Sequence, residues 1–338
     1  MQDARATALI LGAMVCFAVQ DAIVKLTAGE VSLWQMQLIR SIFVLIFLAL
    51  VLRVLNRLHE MRPTAWGWPL ARAFLMAGAY LFFYAALPYL PLAQAAAAFF
   101  IGPILITVLA AIFLGEPIGP RRVAAVLVGF AGVLCIVRPG LEGWNPMALL
   151  PVAAAGCYAM AVVLTRWRCR EVPGFALTTV HTLIFATVGT TGLLLAPMLP
   201  ISPEAREEFA FLTTGWHPLA LWVAALFALT AATHITGALS SVQAYKEGEA
   251  SRLAPFEYSY LVIMALIDYA VWGEVPAGST LLGMALICGA GGFVAWREGR
   301  PARPRIQQNA EVPWTPEQFD DDPSMPPDDT ETAPSRMM

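Results

Sequence analysis

Asp21 and Lys25 stand one helical turn apart in FAVQDAIVKL, residues 17–26, within an apolar run from Ala6 to about Ala28. Arg40 lies in the next apolar run with Gln37 one turn away, His181 and His234 interrupt two later runs, and Glu257, Tyr258, Tyr260 and Asp268 cluster in another. An ionised side chain at the centre of a bilayer costs at least about 2.5–3.5 kcal/mol, so such groups face a cavity or a partner. The chemistry open to them is the holding of a charged solute or the carriage of a proton.

The elements that must position these residues are membrane helices. Of 338 residues, 58% are hydrophobic and 13% charged, against about a quarter charged in soluble proteins. Apolar stretches lie near 6–28, 33–55, 66–88, 92–114, 121–138, 147–167, 174–197, 217–241, 250–272 and 278–296. At 1.5 Å per residue each is long enough for a hydrocarbon core of about 30 Å, the fifth being the shortest. The expected fold is an all-α polytopic membrane protein of about ten transmembrane helices. The first stretch is too long for a signal-peptide core and carries Asp21 and Lys25, so it is read as a retained helix. Cys16, Cys135, Cys157, Cys169 and Cys288 are scattered singly, which suggests neither disulfides nor a metal site.

With the N-terminus inside, most basic loop residues, including Arg53, Arg57, Arg62, Arg121, Arg122, Arg166, Arg168 and Arg170, fall on the cytoplasmic side, and only Arg138 and Arg206 fall outside. That bias predicts an inner-membrane protein with both termini cytoplasmic. From Pro301 the composition turns to Pro, Asp, Glu and Gln, with too little apolar surface for a core. Residues 300–338 read as a disordered acidic tail, either merely solvated or a docking segment.

IFLGEPIG at 112–119 and AVWGEVPAG at 270–278 place Gly-Glu-Pro and Gly-Glu-x-Pro 158 residues apart, each between an apolar helix and a Gly-rich one. This recurrence marks a duplication, with copies over 1–145 and 146–299. Five crossings per copy is an odd number, so the second copy enters the membrane from the opposite side. Inverted copies packed around a midplane site are an architecture of secondary transporters.

On these features the chain resembles the EamA-type members of the drug/metabolite transporter superfamily. The likeness spans about residues 5–298. It rests on FAVQDAIVKL, Arg40 in QLIRSIF, YAALPYLPLAQAAAAFFIGPILITVLAAIFLGEPIG with its GFAG follow-on, EGEASRLAPFEYSYLVIMALIDYAVWGEVP and GAGGFVAWRE. The resemblance implies ten helices in two inverted bundles of five, a central cavity, and alternating-access transport of small metabolites without ATP hydrolysis.

If the first outer turn is centred near Glu30, Asp21 and Arg40 lie at nearly equal depth and Lys25 nearer the surface. Two readings share that geometry. In one, Asp21 and Arg40 form a buried salt bridge while Lys25 snorkels outward; in the other, Lys25 or Arg40 binds a carboxylate or phosphate. Glu257 and Asp268, eleven residues apart, share a face within about 20°, with Asp268 expected at the outer interface. Pro255 should bend this helix beside Arg252, making Glu257, Tyr258 and Tyr260 a substrate wall, or else a packing kink with Glu257 paired to Arg252. His181 and His234 are hydrogen-bonded bundle residues or, with Glu257, proton-coupling groups. Tyr80, Tyr84 and Tyr158 supply aromatic surface to the cavity or belong to the interfacial belt. Gly129, Gly132, Gly289, Gly291 and Gly292 permit close helix approach, within the chain or at a dimer seam.

The function expected is secondary transport of a small polar or amphiphilic metabolite, with a zwitterion or amino-acid-like compound suiting the mixed charges, by a monomer or homodimer. No cofactor, metal or nucleic acid is expected. An integral-membrane lipid- or sugar-modifying enzyme is the alternative, but HExxH, GxSxG and GxxxxGK[ST] patterns are absent from the sequence; a non-transporting scaffold would have no use for buried charges.

Overall fold

The computed structural model describes residues 2–63, 65–115, 120–138, 145–247, 253 and 256–298. Among these the regular elements are helical. They are α1 (Gln2–Thr27), α2 (Leu33–Val54), α3 (Gly67–Ala86), α4 (Leu92–Phe99), α5 (Gly102–Leu114), α6 (Pro120–Val137), α7 (Leu149–Arg168), α8 (Gly174–Leu195), α9 (Pro203–Glu208), α10 (Ala210–Thr213), α11 (Leu221–Glu247), α12 (Ser259–Ile267) and α13 (Gly278–Glu298). Seven helical segments among the described residues have both the length and the apolarity to cross a membrane, and shorter apolar helices at 123–137, 259–272 and 278–293 complete about ten crossings. Ile46, Leu50, Ile112, Leu127, Leu194 and Leu266 are exposed, as expected of faces solvated by lipid.

The apolar run 92–114 is not one continuous helix. Pro103 has no N–H to give the Phe99 carbonyl, so the chain leaves α4 at Phe100 and re-enters helix at Gly102. α4 is built mostly from small residues, and Leu92, Ala93, Ala95, Ala96, Ala97 and Ala98 are all buried, which lets neighbouring helices approach its backbone closely. The eighth crossing starts at Leu221, after a connection containing α9 and α10. That connection is tied to the start of α2: Trp34 Nε1 donates to the Leu212 carbonyl, and Gln35 exchanges two hydrogen bonds with the His217 backbone, all at 2.8 Å. Ser202 caps α9, and hydrogen bonds from the Glu204 backbone itself and from Ser202 hold the Glu204 carboxyl below its ordinary range.

The packing has a pseudo-two-fold order. Pairing the first copy (α1, α2, α3, α4–α5, α6) with the second (α7, α8, α11, α12, α13) exchanges one set of contacts for another. α1 packs on α11 and α7 on α3; α2 packs on α11 and α8 on α3; α1 packs on α12 and α7 on α4 and α5. The self-counterparts α2–α8, α6–α13 and α4–α12 meet directly. The helix ends repeat as well. α5 ends at Gly115 and the widened π-helical turn that prolongs α12 (Asp268–Trp272) ends at Gly273, both in the left-handed region at φ 69°, where a side chain would be strained. Residues 116–119, Arg252 with Pro255, and the tail from Pro301 lie outside the described residues.

Two counterpart crossings are backbone-close. A Cβ on Gly189 of α8 would lie 2.8 Å from the Trp34 carbonyl oxygen of α2, and one on Gly132 of α6 would lie 2.9 Å from that of Gly283 in α13. Gly132 thus serves a crossing inside the chain, while a Cβ at Gly289 meets nothing within 4 Å. Gly132→Val should therefore lower stability by about 1–3 kcal/mol through forced separation of α6 and α13. Gly289→Ala should leave the melting midpoint in detergent unchanged or slightly raised, and thermal unfolding of the two purified variants checks both.

Candidate functional site

Asp21 sits in the C-terminal third of α1, beside Gln20, where its surroundings come from α2, α3, α11 and α12. Its carboxylate accepts hydrogen bonds from Tyr260 Oη at 2.5 Å, Gln20 Nε2 at 3.1 Å and Tyr84 Oη at 3.2 Å. Arg40 of α2 donates from Nη1 to Tyr84 Oη at 2.9 Å and from Nη2 to Gln20 Oε1 at 3.2 Å, and its guanidinium lies 5.4 Å from the Tyr80 ring centroid. His234 Nδ1 is 3.2 Å from Gln20 Oε1 and 3.5 Å from Arg40 Nη2. Asp21 and Arg40 therefore meet through Tyr84 and Gln20 rather than as a direct salt bridge. Gln20, Asp21, Arg40 and Tyr84 come from the first copy, Tyr260 and His234 from the second.

Lys25, one turn along α1, is only 8% exposed at its side chain. It pairs with Asp268 at 3.4 Å and Glu274 at 3.0 Å, and its Nζ lies 4.5 Å from the Trp272 ring centroid. The expectations that Lys25 snorkels outward and that Asp268 is interfacial are both corrected. Asp268 is fully buried, and its other oxygen accepts the Ala93 N–H, at 2.7 Å, in the first turn of α4. A helix N-terminus carries unsatisfied donors and a partial positive charge, which a carboxylate relieves. Lys25 is thus engaged at a seam between the copies, while Arg40 stands beside open space.

That space is lined in part by Gln37, Arg40, His181 and His234. Tyr158 packs on Phe99, 5.6 Å between centroids, and Tyr258 on Phe100, 5.5 Å, so both border the break between α4 and α5 and not the Asp21 network. Glu257 is half-buried within electrostatic reach of both tyrosines. Sequence reasoning passed over Gln20 and Arg72. Arg72 of α3 donates from Nε to Thr165 Oγ1 of α7 at 2.7 Å. An arginine inside an apolar run is itself the signal that could have found it; Gln20 is uncharged and gave a weaker one. Among the described residues no cluster of His, Cys, Asp or Glu could hold a metal. What the arrangement can do is recognise charge and hydrogen-bonding groups.

Two structurally similar helical copies that meet at a charged, hydrogen-bonded centre are an arrangement found in membrane transport proteins. The sequence matches the EamA-like transporter family over residues 4–138 and 145–295, and the chain belongs to that family. It is 25% identical over 300 residues to the riboflavin transporter of Vibrio cholerae, covering 87% of this chain and 94% of that one. It is 31% identical over 219 residues to the riboflavin transporter of Rhizobium johnstonii, covering 65% and 67%. To the S-adenosylmethionine uptake transporter of Rickettsia felis it is 27% identical over 208 residues, covering 62% and 64%.

The seam between Lys25 and Asp268 makes an energetic prediction. Removing Lys25 strands the buried Asp268 carboxylate, at a cost of about 3–5 kcal/mol, whereas neutralising Asp268 leaves Lys25 its Glu274 partner and costs less. Lys25→Met and Asp268→Asn should each destabilise the protein, and the double variant should lose less than the sum of the two, as measured by a double-mutant cycle of melting midpoints.

Proposed function

We propose that this protein is a secondary transporter that moves a small polar or amphiphilic metabolite by alternating access, with a zwitterionic or amino-acid-like compound as the preferred solute. The observation that carries this reading is the buried network joining both copies: a carboxylate and a guanidinium held in place at one level, inside a protein of a transporter family. The bonds Tyr260–Asp21, His234–Gln20 and Lys25–Asp268 all cross between the copies. Rocking one copy against the other exchanges these bonds, whereas the Arg40–Tyr84–Asp21 chain travels within the first copy. The relatives named for riboflavin and S-adenosylmethionine support an organic solute with several polar groups.

In this reading the duplication divides at about residue 145, the protein lies in the inner membrane with both termini cytoplasmic, and Glu257, Tyr158 and Tyr258 form a second wall of the path. Protons drive the cycle through His234, His181 or Glu257.

Reconstitution into proteoliposomes with labelled riboflavin, S-adenosylmethionine and amino acids tests the proposal. Wild-type protein should give saturable flux that responds to an imposed pH gradient. Folded Arg40→Ala and Asp21→Asn variants should lose roughly ten-fold or more, the scale of a lost hydrogen bond to a charged group. Turnover of a lipid or sugar without flux would replace the transporter with an enzyme, and flux indifferent to the gradient would remove the proton.

A further inference from the structure

Beside the Asp21 network, α2 crosses α8 next to α11, and a small space bordered by both polar and apolar side chains lies at the crossing. Arg40, Ser41 and Val44 line it from the first copy; His181, Thr182 and Phe185 line it from the second. Counted from the first residues of their helices, Leu33 and Gly174, the two sets occupy the same places, seven, eight and eleven residues in. The space is therefore bordered by equivalent positions of the duplicated fold, a location that both copies present alike as they exchange orientation.

Its walls are incompletely satisfied. Gln37 Oε1, Arg40 Nε and His181 Nδ1 have no hydrogen-bond partner in the protein, on residues 1%, 4% and 7% exposed. They are three of the six such side-chain atoms found among the described residues, and all three belong to this one lining. Buried polar groups are ordinarily bonded, so a concentration of free ones asks for an occupant. The charged and titratable groups facing the space are Arg40, His181 and His234, with no carboxylate among the lining residues. The one fixed charge in the lining is the Arg40 guanidinium, a donor only, so an occupant that offers electron pairs is favoured over a cation. As described, the space holds about one water molecule. α8 crosses the α2 backbone closely at Gly189, so room for anything larger is sought on the side bordered by His234 of α11.

We propose that the α2–α8 crossing is the recognition point for an acceptor group of the transported solute, a carboxylate or ring carbonyl, held by Arg40 Nε–H and the His181 imidazole N–H. Gln37 adds its side-chain amide, whose oxygen and nitrogen can exchange places by a flip. This inference rests on the transporter reading and assigns the solute's electron-rich end to Arg40 rather than to Lys25, which Asp268 and Glu274 already occupy.

The test uses full-length protein in proteoliposomes, with labelled riboflavin, labelled methionine and unlabelled methionine methyl ester as probes. Gln37→Leu and His181→Phe are compared with wild type, and detergent melting confirms that each variant is folded; Gln37→Asn and His181→Asn serve where either does not fold. The expected result is a rise in KM of about ten-fold or more with Vmax little changed, and, for methionine flux, competition by the ester weaker than by the free acid. Unchanged KM in folded variants, or equal competition by acid and ester together with unchanged riboflavin KM, overturns the assignment and leaves an internal water as the occupant. Absence of flux for every labelled solute in wild-type protein would instead sink the transporter reading beneath it.

Discussion

The hydrocarbon interior cannot tolerate an unpartnered Asp21 carboxylate, and much of the arrangement follows from satisfying it. Water is not there to solvate the charge, so the donors have to come from other helices. Tyr84 comes from α3 and Tyr260 from α12, while Arg40 of α2 supplies the opposite charge through Tyr84 and Gln20. Each donor must enter from its own direction, which requires several helices to converge at one depth. The apolar stems supply bulk packing; the ionised group determines which faces meet.

The same economy recurs at the seam between α1, α4 and α12. Pro103 breaks the fourth crossing and leaves a short helix whose first turn needs acceptors. Asp268 supplies one from the other copy, and its own charge is balanced by Lys25. Three separate difficulties, an unsatisfied helix start, a buried anion and a buried cation, are eased together at Asp268. Glu274, with its side chain 39% exposed, connects that contact to the surface.

Crossing lengths were legible because bilayer thickness imposes them, and the duplication because Gly115 and Gly273 end their helices in a conformation that side chains resist. Turn arithmetic puts Asp21 and Arg40 on one level, and both side chains reach the Tyr84 hydroxyl. Their mediators were not legible, since nothing local marks Tyr84 or Tyr260 as partners of a residue 63 or 239 positions away. Asp268 was misplaced because distance from a helix end measures depth along one rod, whereas burial depends on what lies alongside. Hydropathy averaging likewise ran through Pro103, although the proline itself announced a break.

The cap that Asp268 places on α4 bears on the ancestry of the fold. The position 158 residues earlier, which would perform the reciprocal service, is Ala110. Symmetry has therefore been lost at this point: one half donates and the other receives. A gene fragment encoding either half, expressed as a self-associating pair like the ancestor a duplication implies, would leave a bare helix start in one case and an orphan anion in the other.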